Sequence, residues 1–316
     1  MSEPVSAILR RQNDQSMHLL LRAMSASHER AQRLDAVSAI VSIAVATSGY
    51  VATFVAAAAV PITAVGALWA LAYSIGVASW TDTELRRAAT IQEMFDVRLF
   101  GLGWNHVLAG EPVEAADVSR LSSRYRGRED MIRDYYEVPD FPAPYDILAC
   151  QMMNLGWGAR VRLRFAYAIL SILLVWVSAG AVIGAITDIT VSQLFLALYV
   201  PSLGGLMLGL DMARRQRNVV RERQRVLTHL RSAVAVTVGP AADTSTETWL
   251  LPLARQVQDA IFLTRVCCPR VPTWFFLRFR TTDRVDFVAD MQDLQSRLIE
   301  RGSQPSAATA APTKGI

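Results

Sequence analysis

Arginines interleaved with aromatic side chains are the residues of this sequence best suited to binding chemistry. Tyr125 lies between Arg124 and Arg126, Tyr135 precedes Tyr136, Trp104 precedes Asn105, and Gln151 to Trp157 leads on to Arg160. A guanidinium matches a phosphate in charge and shape, and a flat ring offers a stacking face to a base. Trp104, Arg124, Arg126, Tyr135, Trp157 and Arg160 are therefore candidate contacts for an anionic nucleotide ligand. The same residue types also anchor and pack helices beside a membrane, so composition leaves both uses open.

Catalytic patterns are missing. Gly101-Leu102-Gly103 follows a helical stretch and lacks a third glycine at dinucleotide spacing, and there is no Gly-x-Ser-x-Gly or His-Glu-x-x-His. His18, His28, His106 and His229 are scattered, and Cys150, Cys267 and Cys268 give neither a disulfide framework nor a metal signature. Adjacent carboxylates such as Glu129 and Asp130 read as solvated helix residues. Neither an enzyme nor a metal site nor a resident cofactor is expected.

The elements that must position these residues are set by where charge is absent. No charged residue occurs between Asp35 and Asp82, from Phe165 to Thr187, or from Ile189 to Leu210. A bilayer core of about 30 Å needs roughly 20 apolar residues as helix. The first gap fits two crossings and the others one each. An all-α membrane protein is expected, with four transmembrane helices in two hairpins and helical cytoplasmic regions. The alternative, a hairpin buried in a soluble domain, requires long helices with no charged face, which soluble cores seldom contain. The hydrophobic fraction is 52%, charged residues are 19%, and mean hydropathy is +0.25, all on the side of membrane insertion. A net charge of +4 suits anionic lipid and is too small to argue for nucleic acid.

Six regions follow. Residues 1–35 form a cytoplasmic amphipathic helix and 36–80 the first hairpin, with Pro61 in its turn. Residues 81–164 form a helical domain that starts at Thr81-Asp82-Thr83-Glu84 and contains a Pro-rich link, Val138 to Pro144. A helix from Tyr145 runs into the second hairpin, 165–210, whose outer turn is marked by Asp188. Residues 211–302 form a basic C-terminal domain with later helices at about 246–266 and 280–301, and 303–316 read as a disordered tail. The first apolar run is too long for a signal peptide and reads as an uncleaved anchor. Arg30, Arg33, Arg86, Arg87, Arg160, Arg162, Arg164, Arg214, Arg215 and Arg217 flank the spans on one side, and the two turns opposite hold no Lys or Arg. The positive-inside rule then puts both termini and the central loop in the cytoplasm of a multi-pass inner-membrane protein.

Within the spans, Gly180, Gly184, Gly205 and Gly209 allow helices to approach closely, either inside one subunit or between protomers of a homo-oligomer. Pro201 is a candidate kink and hinge. No span contains an ionisable residue, which weighs against an ion-coupled transporter but leaves a pore possible.

The stretches LFGLGWNHVLAGEP, RDYYEVPDFPAPYDILACQMMNLGWGARVRLRFA and QDAIFLTRVCCPRVPTWFFLRFR resemble the SMODS-associated four-transmembrane effectors of CBASS antiphage systems. The resemblance rests on Trp104-Asn105, Tyr135-Tyr136, Cys150-Gln151, Asn154, Trp157, Arg162, Gln258-Asp259, Arg265 and Val271-Pro272. Gly158 and Met152 depart from it, standing where an acidic and a basic residue are expected. It implies a membrane-disrupting or pore-forming effector, triggered by a cyclic oligonucleotide that a partner nucleotidyltransferase makes on infection. Helices 145–186 and 191–236 are then the expected couplers between sensing and the spans. A small channel or transporter subunit without nucleotide control and a membrane-bound scaffold or sensor are the rival readings.

Overall fold

The computed structural model describes residues 7–186, 190–238 and 249–303, and its regular elements are all helical. A short α1 (Ala7–Arg11) leads into α2 (Gln15–Phe54). One extended residue, Val55, reverses the chain into α3 (Ala56–Ala72), which continues through a π-helical turn (Tyr73–Val77) into α4 (Ala78–Phe100). Gly101, at φ +69, ends this rod by donating its amide to the Val97 carbonyl, a left-handed cap that a side chain would strain. Two short helices follow, α5 (His106–Ala109) and α6 (Ala115–Ser122), then α7 (Tyr145–Gly156) and α8 (Ala159–Ile186). Thr190 opens α9 (Val191–Leu194) with a reciprocal capping box to Gln193. A second π-helical turn (Phe195–Tyr199) joins α9 to α10 (Val200–Val238), and α11 (Leu250–Val266) and α12 (Thr273–Ser303) complete the chain.

Four expectations change. Pro61 lies inside α3 and not in the turn. Its fixed φ is itself helical, so near a helix start it costs mainly one hydrogen bond. No helix starts at Thr81, because the Thr83 hydroxyl donates back to the Ser79 carbonyl and the rod continues. The helix expected to run unbroken from Tyr145 into the third span is interrupted, with Trp157 extended and Gly158 at φ +82. Finally, α12 starts at Thr273, directly after Pro272, and not near Arg280. Asp188 and the tail beyond residue 303 fall outside the described residues.

Two layers result. In the first, Val60–Phe100 and Tyr145–Ile186 contain helix long and apolar enough to cross a bilayer, and only 6% of each apolar window is buried. A soluble core helix would show the reverse. Leu68, Leu71 and Ile75 on one rod and Ile172, Leu174 and Val175 on α8 point outward, as do Ile40 and Ile43 on α2 and Leu203 and Met207 on α10. So continuous an apolar exterior calls for a lipid solvent. Inside this layer the indole of Trp69 donates to Ser42 Oγ (2.9 Å) and that of Trp176 to Ser202 Oγ (3.2 Å). In the second layer, Phe95, Leu99, Leu148, Leu230 and Ile261 form a buried core with Leu20 and Leu21 of α2.

Among the described glycines of the apolar layer, Gly66 comes nearest to another helix's backbone: an added Cβ would lie 3.2 Å from Pro201 Cα and 3.3 Å from Val45 Cγ1. Backbone cannot yield as a side-chain tip can. Gly66→Val should therefore destabilise the chain by about 1–3 kcal/mol through overpacking. Gly76→Val, with nothing within 4 Å of its Cβ position, should not. Thermal unfolding of both variants in detergent checks the contrast.

Candidate functional site

Dispersed polar residues converge in the second layer. Asp96 on α4 is fully buried; one carboxylate oxygen accepts from the Tyr136 hydroxyl (2.7 Å). The other meets Arg265 Nη1 at 2.6 Å and accepts from Gln258 Nε2 at 2.9 Å. Gln258 also donates to Glu93 (2.8 Å), and Glu93 accepts from Arg255 on its other oxygen (2.8 Å). Gln151 on α7 donates to the Ala254 carbonyl (2.7 Å), Asn154 to Tyr136 (3.3 Å), and Asn105 to Asp259 (3.2 Å). Burial lifts the Glu93 carboxyl above its usual range, with Arg265 opposing. This network ties α4, α7 and α11 together beneath the spans.

Beside it opens a cavity of about 470 Å³ whose walls come from α2, α4, the 125–137 loop, the α7–α8 break, α10 and the α11–α12 link. Arg162, Arg223 and Arg270 line it, the first two buried and Arg270 half-buried. Arg162 donates to Gln216 Oε1 (2.7 Å) and the Pro269 carbonyl (3.0 Å). Arg223 donates to Thr264 Oγ1 and the Asn154 carbonyl, each at 3.1 Å. Arg270 donates to Gln92 Oε1 (3.0 Å) and faces Met24 Sδ (3.2 Å). All these partners are neutral. Among the described residues no carboxylate pairs with any of the three, whereas Arg265 has Asp96. Burial, then repulsion from Arg162 and Arg265, holds Arg223 well below the usual arginine range. Arg270 is lowered too, first by burial. Cations held out of bulk water by neutral dipoles keep their charge uncompensated, the electrostatic setting that suits an anion. Tyr125, Tyr135, Trp157 and Phe276 supply rings to the same cavity.

The family described as the SMODS-associating 4TM effector domain matches residues 6–294, nearly the whole chain. The chain belongs to this family. A protein of Bacillus cereus (strain VD146), described as a probable CBASS effector molecule, is 24% identical over 283 residues, covering 85% of this chain and 92% of that one. No solved structure matches. A 4TM family with two apolar, outward-facing helices makes this a membrane protein.

In this 4TM effector the sequence-derived candidates separate. Tyr135 and Trp157 line the cavity. Arg124 instead faces a smaller cleft of about 370 Å³ with Arg30, Arg87, Arg120 and Asp117. Arg126 turns to the carbonyls of Ser123 and Tyr125 (both 3.0 Å), leaving Tyr125 between them as the cavity residue. Trp104 packs on the core and donates to the Gly110 carbonyl (2.8 Å), so it is structural. Arg160 is exposed and outside the cavity wall, because the break at Gly158 turns Arg162 inward in its place. Gly180 and Gly184 lie against Leu198 and Leu194, Gly209 against Leu173, and Gly205 against Ser42, all contacts within one chain. Pro201 follows the second π-helical turn and is buried where Gly66 meets it.

Arg223, Arg270, His28 and Gln92 were not among the candidates. A signal for Arg223 existed. Gln216, Val219, Val220, Arg223, Val226, Leu227 and Leu230 are one buried face of α10, so Arg223 interrupts an apolar stripe where the exposed Arg221 and Arg225 do not. His28 likewise shares a face of α2 with Leu21, Met24 and Ala31.

Nearer the bilayer, Asp35 has its carboxyl pushed up to about 6 by burial, with Arg215 opposing and Asp82 adding to the shift. A raised carboxyl contributes stability that is complete below its unfolded value and lost as pH rises through about 6. Asp35→Asn should therefore raise the melting temperature at pH 8 and change it little at pH 4, measured in the same detergent.

Proposed function

We propose that this chain is an effector of CBASS antiphage defence whose cytoplasmic cavity binds a cyclic nucleotide and whose spans then breach the bacterial inner membrane. The observation that carries the reading is the trio Arg162, Arg223 and Arg270, two buried and one half-buried and none paired with a carboxylate among the described residues, set among rings at the root of the apolar layer. A cyclic nucleotide offers phosphodiesters to the arginines and bases to Tyr135 and Trp157. The helices bearing those contacts lead into the apolar layer, so a ligand that prefers one arrangement of the cavity shifts the spans with it.

The proposed topology has four spans in two hairpins, with both termini cytoplasmic. α2 and the α9–α10 rod supply the crossings beyond the two apolar segments already described. The unit is expected to work as a homo-oligomer with a partner nucleotidyltransferase, and no catalytic step is assigned to the effector. Loss of the membrane barrier would be the output.

Calorimetry of detergent-solubilised protein against cyclic di- and trinucleotides, paired with dye release from liposomes, tests this. Binding together with ligand-dependent release is the expected result. Release without any nucleotide would instead indicate an ungated channel, and silence in both assays a scaffold.

A further inference from the structure

We infer that ligand binding in this cavity is coupled to proton uptake at His28, which acts as the hydrogen-bonding reader of the bound anion. The inference rests on the nucleotide reading above and goes beyond it. His28 lies on α2, lines the cavity and is 4% exposed; neither ring nitrogen has a partner at full hydrogen-bond geometry among the described residues, although the Gln92 side chain is close enough to favour the charged ring. Its polar neighbour Gln92 is engaged at both ends, donating to the Tyr135 hydroxyl (2.8 Å) and accepting from Arg270 (3.0 Å). The indole nitrogen of Trp157, across the α7–α8 break, is buried without a partner as well. Buried polar atoms are nearly always satisfied, and leaving one unpaired is costly. Two unsatisfied side chains on one cationic cavity mark where a ligand's acceptors belong.

The charges around His28 decide its protonation. Arg270 from the α11–α12 link, Arg265 from α11 and Arg162 from α8 all oppose a charge on the ring, and α4 offers only the neutral Gln92. Arg223 of α10 and the Tyr135 hydroxyl face the same cavity. Glu29 on α2 and Asp130, Asp134 and Glu137 on the loop also line the cavity, as do Arg128 and Arg133 of the same loop. Burial first, then Arg270, holds the imidazole neutral, well below its ordinary value. A bound phosphodiester offsets the arginines and gives one ring nitrogen an acceptor, so it favours imidazolium. The complex then holds more protons than the free protein, and affinity rises as pH falls, by at most about tenfold per pH unit for one proton. Phosphodiesters keep a fixed charge between pH 6 and 8, so the ligand itself adds no such slope.

Calorimetry on the full chain in detergent, run at pH 7 in two buffers of different ionisation heat, counts the protons. The probes are a panel of cyclic di- and trinucleotides, with sulfate as a fixed-charge anion that needs no base recognition. Uptake approaching one proton in the native chain, lost in His28→Asn and in His28→Gln while binding is weakened but still measurable, is the expected result. Binding without uptake, or uptake that survives both substitutions, overturns the role of His28 and leaves the nucleotide reading standing. No binding of any probe overturns both. The native-chain count needs no variant, so a misfolded substitution does not blunt the test.

Discussion

Arg265→Met is expected to cost about 3–5 kcal/mol of stability, the range for removing one partner of a buried ion pair. Arg265 is 4% exposed and Asp96 fully buried, and their contact is 2.6 Å, with Glu93 a further 3.9 Å away. Burial pulls the guanidinium's pKa down more than any single neighbour raises it, but Asp96, Tyr136, Tyr135 and Glu93 together more than offset it, so Arg265 stays charged. Without it, Asp96 loses its cation and faces Glu93, which keeps only Arg255 on its far oxygen. Gln258 still donates to both, but an amide does not neutralise them. The defect should shrink as pH falls, because protonating one carboxyl removes the repulsion. Chemical unfolding at pH 5 and pH 8 measures that slope. Asp96→Asn added to Arg265→Met should recover part of the loss, since it removes the stranded charge.

Arg223→Met should have a different signature. Truncating one side of a buried charge pair in a complex costs roughly 2–5 kcal/mol, so ligand affinity should fall about 30-fold or more. Ligand-dependent leakage should fall with it. The unliganded protein should melt no lower than the native chain, because the substitution removes a buried cation that repels Arg162, Arg265 and Arg270. Methionine retains apolar contact with Val226 and Leu227 on that face of α10. Two hydrogen bonds are lost, to Thr264 and to the Asn154 carbonyl, and both partners are neutral. Stability preserved while binding collapses is the mark of a residue kept for its ligand. Arg265→Met, by contrast, should lose both. The comparison separates the structural arginine from the sensing one.

The apolar helices were legible in the sequence because lipid imposes a simple requirement, long stretches without charge. The polar layer was harder. Asn105, Tyr136, Gln151, Gln258 and Arg265 stood out through a family resemblance, yet nothing in their spacing shows that they meet around Asp96. Long-range convergence of this kind is set by how α4, α7 and α11 pack, which local periodicity does not encode. Tyr135 and Trp157 were found because aromatic clusters are visible without the fold. Arg124 and Arg126 were plausible for the same reason and belong elsewhere, since only burial distinguishes a site arginine from a solvated one. Gly158 looked like a departure from the family pattern. Its φ of +82 gives it a reason of its own, because it is the joint at which α7 stops and α8 begins.

The α9–α10 rod has a mechanical meaning. From Arg223 to Pro201 it runs 22 residues without a break, about 33 Å at the rise of an α-helix. A shaft of that kind does not absorb torque along its length. Its weak point is the five-residue π-helical turn immediately before Pro201, and a similar turn interrupts the α3–α4 rod at Tyr73 to Val77. A π turn holds one surplus residue, so moving or losing it rotates everything beyond by about 100°. Two rods with such slip couplings inside the lipid-facing layer can change which side chains meet across the bundle while the cytoplasmic ends stay seated.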